Sequence, residues 1–298
     1  MKKQNITGIL ILLLASTIWG VAFVAQSAGT NHLNAFAFNS IRNAIGVVVL
    51  LPVLFTTRRL NKSETPAPLF SKDLLLGGLL CGISLCIAAN FQQLGIEHST
   101  VGKSAFITTL YIVLVPIMGL FLKKKVSFQV WISVVLAMIG LFLLCMKNEV
   151  FVLEIGDIYL ILCAFFFTIQ ILCVEHYVHK VDAIALSIMQ FLVTAVVSGI
   201  GMLFTELPSW ADITNAAIPL LYAGAISSGV GFTLQVIGQK MLPSSVASLI
   251  MSLESVMATL AGWILLQEIL SGREILGCVL MFTAVILTQI PLKPGKKQ

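Results

Sequence analysis

Glu254 is the costliest side chain in this 298-residue sequence. It stands near the middle of an apolar run, 245–266, where a carboxylate costs at least ~2–3 kcal/mol unless it is paired, hydrated or protonated. No other acid lies so deep in an apolar run. Such a carboxyl has three possible uses: it binds a ligand, it exchanges a proton as its surroundings open, or it ties neighbouring helices together without titrating. Arg42 is the second charge at depth, about 10 Å inside the end of its run, with Asn39 one turn before it. It could hold an anionic group of a ligand, pair with Glu254, or cap carbonyls of a neighbouring helix.

Other polar residues are grouped along helical faces. Ser244, Ser248, Ser252 and Ser255 lie on one side of the run that carries Glu254, which itself points away from that stripe. The serines read first as small residues that let helices approach closely. Ser104, Thr108 and Tyr111 form a comparable stripe in the fourth run, and Pro116, further on, would loosen that helix and free a carbonyl. Lys103, near the end of the same run, either snorkels to the interface or enters the cavity. Asn90, Gln92 and Gln93 put amides where a lipid-facing helix would show leucine, so they need partners across helices or a wet cavity. Trp19 lies too deep for an interfacial belt, and Gln170 occupies a comparable place in the second half of the chain. His176 and His179 have metal-pair spacing but no third ligand in view, so a solvated turn is expected and no metal. The six cysteines lie in apolar runs without a CxxC pair and read as packing residues.

What must position these groups is a set of membrane spans. The chain is 58% hydrophobic and 10% charged, with a mean hydropathy of +1.01. Ten apolar runs fill it, at 6–26, 35–55, 74–94, 105–122, 126–146, 158–174, 183–204, 216–237, 245–266 and 275–290. Each approaches the ~20 residues that cross a bilayer as helix, and none alternates with the period of a membrane barrel. With the N-terminus inside, Lys2, Lys3, Arg58, Arg59, Lys62, Lys72, Lys123, Lys124, Lys125, Lys180, Lys240, Lys293, Lys296 and Lys297 all fall on the inner side. Only Lys103, Lys147 and Arg273 fall outside. Both termini are therefore expected in the cytoplasm. The first run is longer than the core of a signal peptide and is expected to be retained. The net charge of +5 reflects this topology and carries no nucleic-acid footprint.

The runs form two sets of five, divided at the polar turn of Lys147, Asn148 and Glu149, so the expected domains are 1–150 and 151–298. An odd number of spans per set makes the second set enter the membrane inverted. Shifted by about 143 residues, Gln92 falls on Gln235, Gly95 on Gly238, Tyr111 on Glu254 and Gly119 on Gly262. A shift of about 148 sets Asn39 on Ser187 and Arg42 on Gln190. If the halves meet around one axis, Tyr111 and Glu254 face a shared cavity.

Ser252-Leu253-Glu254-Ser255-Val256-Met257-Ala258, followed by Gly262-Trp263, Gln267-Glu268 and Gly277, resembles the second repeat of EamA-type transporters in the drug/metabolite transporter superfamily. Trp19-Gly20, Arg42, and Gly102-Lys103 through Tyr111 to Pro116 and Gly119 resemble the first repeat. The resemblance implies an all-α membrane protein of ten transmembrane helices in two inverted five-helix repeats. Helices one, three, four, six, eight and nine would line a central cavity, with five and ten more peripheral. Trp19, Asn90, Gln92, Tyr111, Gln170, Gln235 and Glu254 are the cavity residues it implies, beside Arg42. Many relatives carry proline where this chain has Ser255, which implies a straighter ninth helix. The function expected is secondary transport, export in particular, of a small metabolite such as an amino acid, by alternating access and with a proton as the possible coupling partner. Efflux of amphipathic drugs is the alternative within transport. A membrane enzyme would need paired acids, HExxH, GxSxG or a Ser/His couple at depth, and none is found. A sensor would need a sizeable soluble domain. The lipid bilayer and a small-molecule substrate are the expected partners, with no nucleic acid and no cofactor.

Overall fold

The structure, a computed structural model, describes residues 3–60, 71–145, 154–205, 207–266 and 271–290. Among them every regular element is helical, as a backbone in hydrocarbon requires, since each N–H and C=O must find its partner within the chain. In order these are α1 (Lys3–Thr30), α2 (Ala35–Leu60), α3 (Lys72–Glu97), α4 (Val101–Phe121), α5 (Phe128–Cys145), α6 (Ile155–Tyr177), α7 (Ala183–Leu203), α8 (Ala217–Gln239), α9 (Ser244–Met251 with Glu254–Leu266) and α10 (Gly272–Gln289). A short surface helix, Trp210–Asn215, joins α7 to α8. Among the described residues nine helices are long and apolar enough to cross a membrane. The apolar part of α9, Ser244–Leu260, is shorter. The linker prolines Pro66 and Pro68, the central turn at Lys147, Asn148 and Glu149, and Gln267-Glu268 lie outside the described residues.

Two helix starts differ from expectation because of their caps. Thr100 caps α4 by accepting the Lys103 N–H at 3.3 Å, so the helix begins before Lys103. Glu154 and Asp157 form a reciprocal capping box, which starts α6 at Ile155 and brings Asp157 inside it.

Three helices depart from regular α geometry. In α4 the break lies at Thr109–Leu110, where N–H groups turn back three residues: Leu110 to Ile107 at 3.1 Å and Ile112 to Thr109 at 3.0 Å. Pro116 sits inside the following segment, Tyr111–Phe121, so the loosening expected around it occurs earlier in the helix. In α9 the break lies at Ser252–Leu253, with Leu253 N–H on Ile250 O at 3.1 Å and Ser255 N–H on Ser252 O at 3.3 Å. The straight ninth helix implied by Ser255 is therefore corrected. Thr109 Oγ1 donates back to Ala105 O at 2.6 Å and Ser252 Oγ to Leu249 O at 2.7 Å, but Ser16, Ser84 and Thr168 make the same bond within unbroken helices, so these hydroxyls accompany the breaks without accounting for them. The third is α8, wound as a π-helix over Tyr222–Phe232.

The interior holds polar side chains beside apolar ones such as Phe23, Phe38 and Phe191, and the outer face is apolar. Asn39, Gln93, Gln170, Gln190 and Ser198 are buried, while Leu10, Val48, Val135, Val196 and Ile286 are exposed. Lipid removes the hydrophobic drive between helices, so close packing and interhelical hydrogen bonds hold the bundle. α2 packs on α7, α3 on α6 and α7, α1 on α8 and α9, and α5 on α10. At the last contact Gly140 and Gly277 meet backbone to backbone. A Cβ on Gly140 would lie 2.9 Å from Gly277 O, and one on Gly277 would lie 2.7 Å from Gly140 O. None of the six cysteines is bridged in a disulfide.

Candidate functional site

The two broken helices cross at their breaks. Tyr111, the first residue after the break in α4, donates its hydroxyl to Glu254 Oε1 at 3.1 Å, and Glu254 is the first helical residue after the break in α9. Beside this bond the Thr109 and Ser255 hydroxyls lie 3.3 Å apart. The breaks are 143 residues apart in sequence, as are Tyr111 and Glu254 themselves. Both side chains are buried in protein, and both line one cavity.

The cavity wall comes from seven helices: Trp19, Ala22, Phe23 and Gln26 of α1, Arg42 of α2, Gln92 of α3, Thr108 and Tyr111 of α4, Phe167, Gln170 and Ile171 of α6, Ser227, Phe232 and Gln235 of α8, and Met251 and Glu254 of α9. Among the described residues α5, α7 and α10 give it none. Of the eight expected residues, all but Asn90 are in this wall. Asn90 faces α2 and α7 instead, donating to Ser198 Oγ at 2.9 Å and Cys86 O at 2.8 Å and accepting from Asn39 Nδ2 at 3.2 Å. It is an interhelical tie, which is the other way a buried amide finds partners.

Aromatic rings make part of the wall. Trp19 and Phe232 lie 4.7 Å apart centroid to centroid, Phe167 is 6.5 Å from Phe232, and the Trp19 indole N–H donates to Ser227 O at 3.4 Å. Ser227 belongs to the π-helical turn of α8, so the irregular winding presents a carbonyl to the indole. Gly20 brings α1 against α9 immediately behind Glu254: a Cβ there would stand 2.7 Å from Glu254 O and 2.6 Å from Ala258 N.

Amides, with Arg42, form another part of the wall. Arg42 donates from Nη1 to Gln26 Oε1 at 3.1 Å, its guanidinium lies 5.7 Å from the Phe38 ring centroid, and its buried Nε has no hydrogen-bond partner. Among the described residues no ion pair joins it to Glu254 or any other acid, so of the three uses open to it that one is not adopted. Gln170 donates to Gln190 Oε1 at 3.1 Å and accepts from Gln235 Nε2 at 3.1 Å. Gln235 also reaches Gln239 Oε1 at 2.9 Å, and Gln239 donates to Ile171 O at 3.0 Å and Ser244 Oγ at 3.3 Å. The Ser244 N–H at the start of α9 ends on Glu175 Oε1 at 3.2 Å, and Glu175 is paired with Lys124. A continuous polar chain thus runs from the cavity wall to an ion pair at the far end of α4 and α6. Lys124 is placed by Lys123, which adopts a left-handed backbone (φ 59°) and ends α4.

At the opposite end of the same two helices Lys103 pairs with Asp157 at 2.8 Å and approaches Glu154 at 3.6 Å. Lys103 therefore neither snorkels nor enters the cavity, because a fully buried carboxylate holds it. Asp157 was not singled out in the sequence, since it falls just before the apolar run; its capping-box spacing to Glu154 is the signal that could have found it. Gln26 and Gln239, also missed, each lie at the end of a run, where a polar residue reads as a boundary. His176 is exposed, with its Nε2 2.9 Å from Lys180 Nζ, and among the described residues no group of His, Cys, Asp and Glu could hold a metal.

Comparison with known proteins gives this architecture a family. An uncharacterized transporter of Archaeoglobus fulgidus is 30% identical over 280 residues, spanning 94% of this chain and 84% of that protein. The uncharacterized transporter YoaV of Bacillus subtilis is 22% identical over 281 residues, 93% of this chain and 94% of that protein. A solved crystal structure shares the fold with a TM-score of 0.78 over 95% of this chain and 96% of the other, at 15% identity. The family model for EamA-like transporters matches twice, at residues 6–146 and 154–290, and the chain belongs to the EamA-like transporter family.

Proposed function

We propose that this multi-pass membrane protein is a secondary active transporter that exports a small organic metabolite, an amino acid or a related solute, by alternating access. In this reading ten helices form two five-helix repeats, 1–150 and 151–298, inserted in opposite orientations in the cytoplasmic membrane with both termini inside. The twofold family match, the helix breaks 143 residues apart and the bias of Lys and Arg toward one side support it.

The observation that carries the reading is the Tyr111–Glu254 bond. Equivalent positions of two inverted halves touch each other only at the axis that relates them, and a site on that axis keeps its place while the halves rock about it. Glu254 binds the substrate or the coupling proton there, and the aromatic and amide walls shape the space around it. The test is uptake of a radiolabelled metabolite panel into proteoliposomes, with and without a pH gradient. Wild type should move at least one solute and respond to the gradient, and Glu254→Gln should lose that response. An identical response in Glu254→Gln would remove the proton from the mechanism, and an altered drug resistance on overexpression without metabolite flux would favour efflux of amphipathic compounds.

A further inference from the structure

α4 and α6 are tied together at both ends, and the two ties differ in kind. At one end Lys103 and Asp157, 8% and 0% exposed, pair beside the capping box that starts α6. At the other end Lys124 and Glu175 pair at 37% and 20% exposure. Parting the first strands a charge away from water, whereas the second can exchange its partner for water at little cost. One tie is permanent and the other is breakable.

Neither tie has a counterpart in the other half. Under the overlay Lys103 and Lys124 fall on Val246 and Gln267, and Asp157 and Glu175 fall on Ile9 and Ser27. The equivalent contact, α9 on α1, instead packs backbone against backbone at Gly20, with no charge there for water to solvate.

The breakable tie also closes one end of the bundle. Gln239 and Ser244, at the ends of α8 and α9, would be wet at a free helix end but are 1% and 2% exposed. Glu175 accepts the Ser244 N–H at 3.2 Å, Gln239 donates to Ser244 Oγ at 3.3 Å, and the amides of Gln235 and Gln170 continue the chain to the cavity. The turn between α8 and α9 presses on α1 at Gly8, where a Cβ would meet Met241 at 3.0 Å and Leu242 at 3.2 Å. Gln170, Glu175, Gln235, Gln239 and Ser244 all belong to the second half, so Lys124 is where the first half joins that chain.

We infer that Lys124–Glu175 is a latch over the cytoplasmic end of the cavity: when it parts, α4 and α6 splay there about the buried Lys103–Asp157 tie, and the ends of α8 and α9 become wet. The orientation and the purpose of the latch come from the transport reading, but opening is measured without flux, so the two fail separately. Ser244→Cys puts a thiol under the latch. In the purified full chain a membrane-impermeant maleimide modifies that thiol at a rate set by how often the end opens, and peptide mass spectrometry reads it apart from the native cysteines. Cys81, 0% exposed, reports unfolding in the same sample.

Added to Ser244→Cys, Glu175→Gln and Lys124→Met should each raise the rate at position 244 about two- to fivefold with Cys81 unchanged. The charge swap Lys124→Glu/Glu175→Lys should bring it back toward the starting rate, and Lys125→Met, the loss of an exposed neighbouring charge, should leave it there. Raising the ionic strength from about 0.05 to about 0.5 M should speed modification while the pair is intact and have no effect after Glu175→Gln. A rate at position 244 that neither single substitution moves, a rise matched at Cys81, or a charge swap as fast as the single variants would each overturn the latch. Proteoliposome flux judges transport separately, since a latch can open in a chain that moves no solute.

Discussion

Gly20 is the position where a single methyl group should do most harm. A Cβ built there stands 2.6 Å from Ala258 N, 2.7 Å from Glu254 O and 2.8 Å from Met257 Cβ. Ordinary contact begins near 3.4 Å, so α1 and α9 would have to separate by roughly 0.8 Å, the difference between 3.4 and 2.6. Two of the three obstructing atoms are backbone and cannot rotate aside. Overpacking of this kind costs about 1–3 kcal/mol, and the gain in helix propensity from glycine to alanine returns only about 1 kcal/mol. Gly20→Ala should therefore lose about 1 kcal/mol, and at most about 2, and lengthen the 3.1 Å Tyr111–Glu254 bond, because Glu254 O is one of the displaced atoms.

Gly119 supplies the control. A Cβ there finds its nearest neighbour at 3.9 Å, so Gly119→Ala should be neutral or gain up to about 1 kcal/mol. Thermal unfolding of the two purified variants, followed by retention on size exclusion, should place their midpoints several degrees apart on opposite sides of wild type. Equal midpoints would refute the close approach of α1 to α9.

Three further outcomes follow from the same contacts. Lys103→Met strands the fully buried Asp157 carboxylate and should cost about 3–5 kcal/mol, with most of it recovered in the double variant Lys103→Met/Asp157→Leu; additive losses in a thermal-stability double-mutant cycle would refute the pairing. Tyr111→Phe removes the donor to a buried carboxyl and should cost about 1–3 kcal/mol, read in the same assay as a loss absent from the variant in a Glu254→Leu background, which has no acceptor. Lys123→Gly relieves a left-handed backbone at the end of α4 and should stabilise by about 1 kcal/mol, whereas a destabilised variant would mean that the Lys123 side chain is needed there.

Much of the fold was legible because hydrocarbon leaves so few options. Apolar runs of spanning length could only be helices, and the overlay that set Tyr111 on Glu254 placed together two residues that the structure joins by a hydrogen bond. What the sequence hid lies where one residue has two meanings. Proline marks a helix break in a sequence, yet α4 and α9 break at Thr109–Leu110 and Ser252–Leu253, where no proline stands, and serine in a membrane helix reads equally well as a packing residue. The π-helical winding of α8 follows from no residue we can name. Arg42 looked like a partner for Glu254, but its neighbour is Gln26, whose place at the end of an apolar run disguised it as a boundary. Asn90 shows the converse, since its buried amide is spent on α2 and α7 and leaves the cavity to Gln92 two residues on.

The central claim is that solute passes through a cavity whose working group is Glu254. Counterflow measures this most directly: proteoliposomes preloaded with an unlabelled solute take up the same labelled solute only through a carrier that reorients with its cargo bound. Wild type should concentrate at least one small organic metabolite transiently inside, and Glu254→Gln, at equal incorporation and with an unchanged size-exclusion profile, should not. Counterflow of equal rate and extent in the variant would contradict the account.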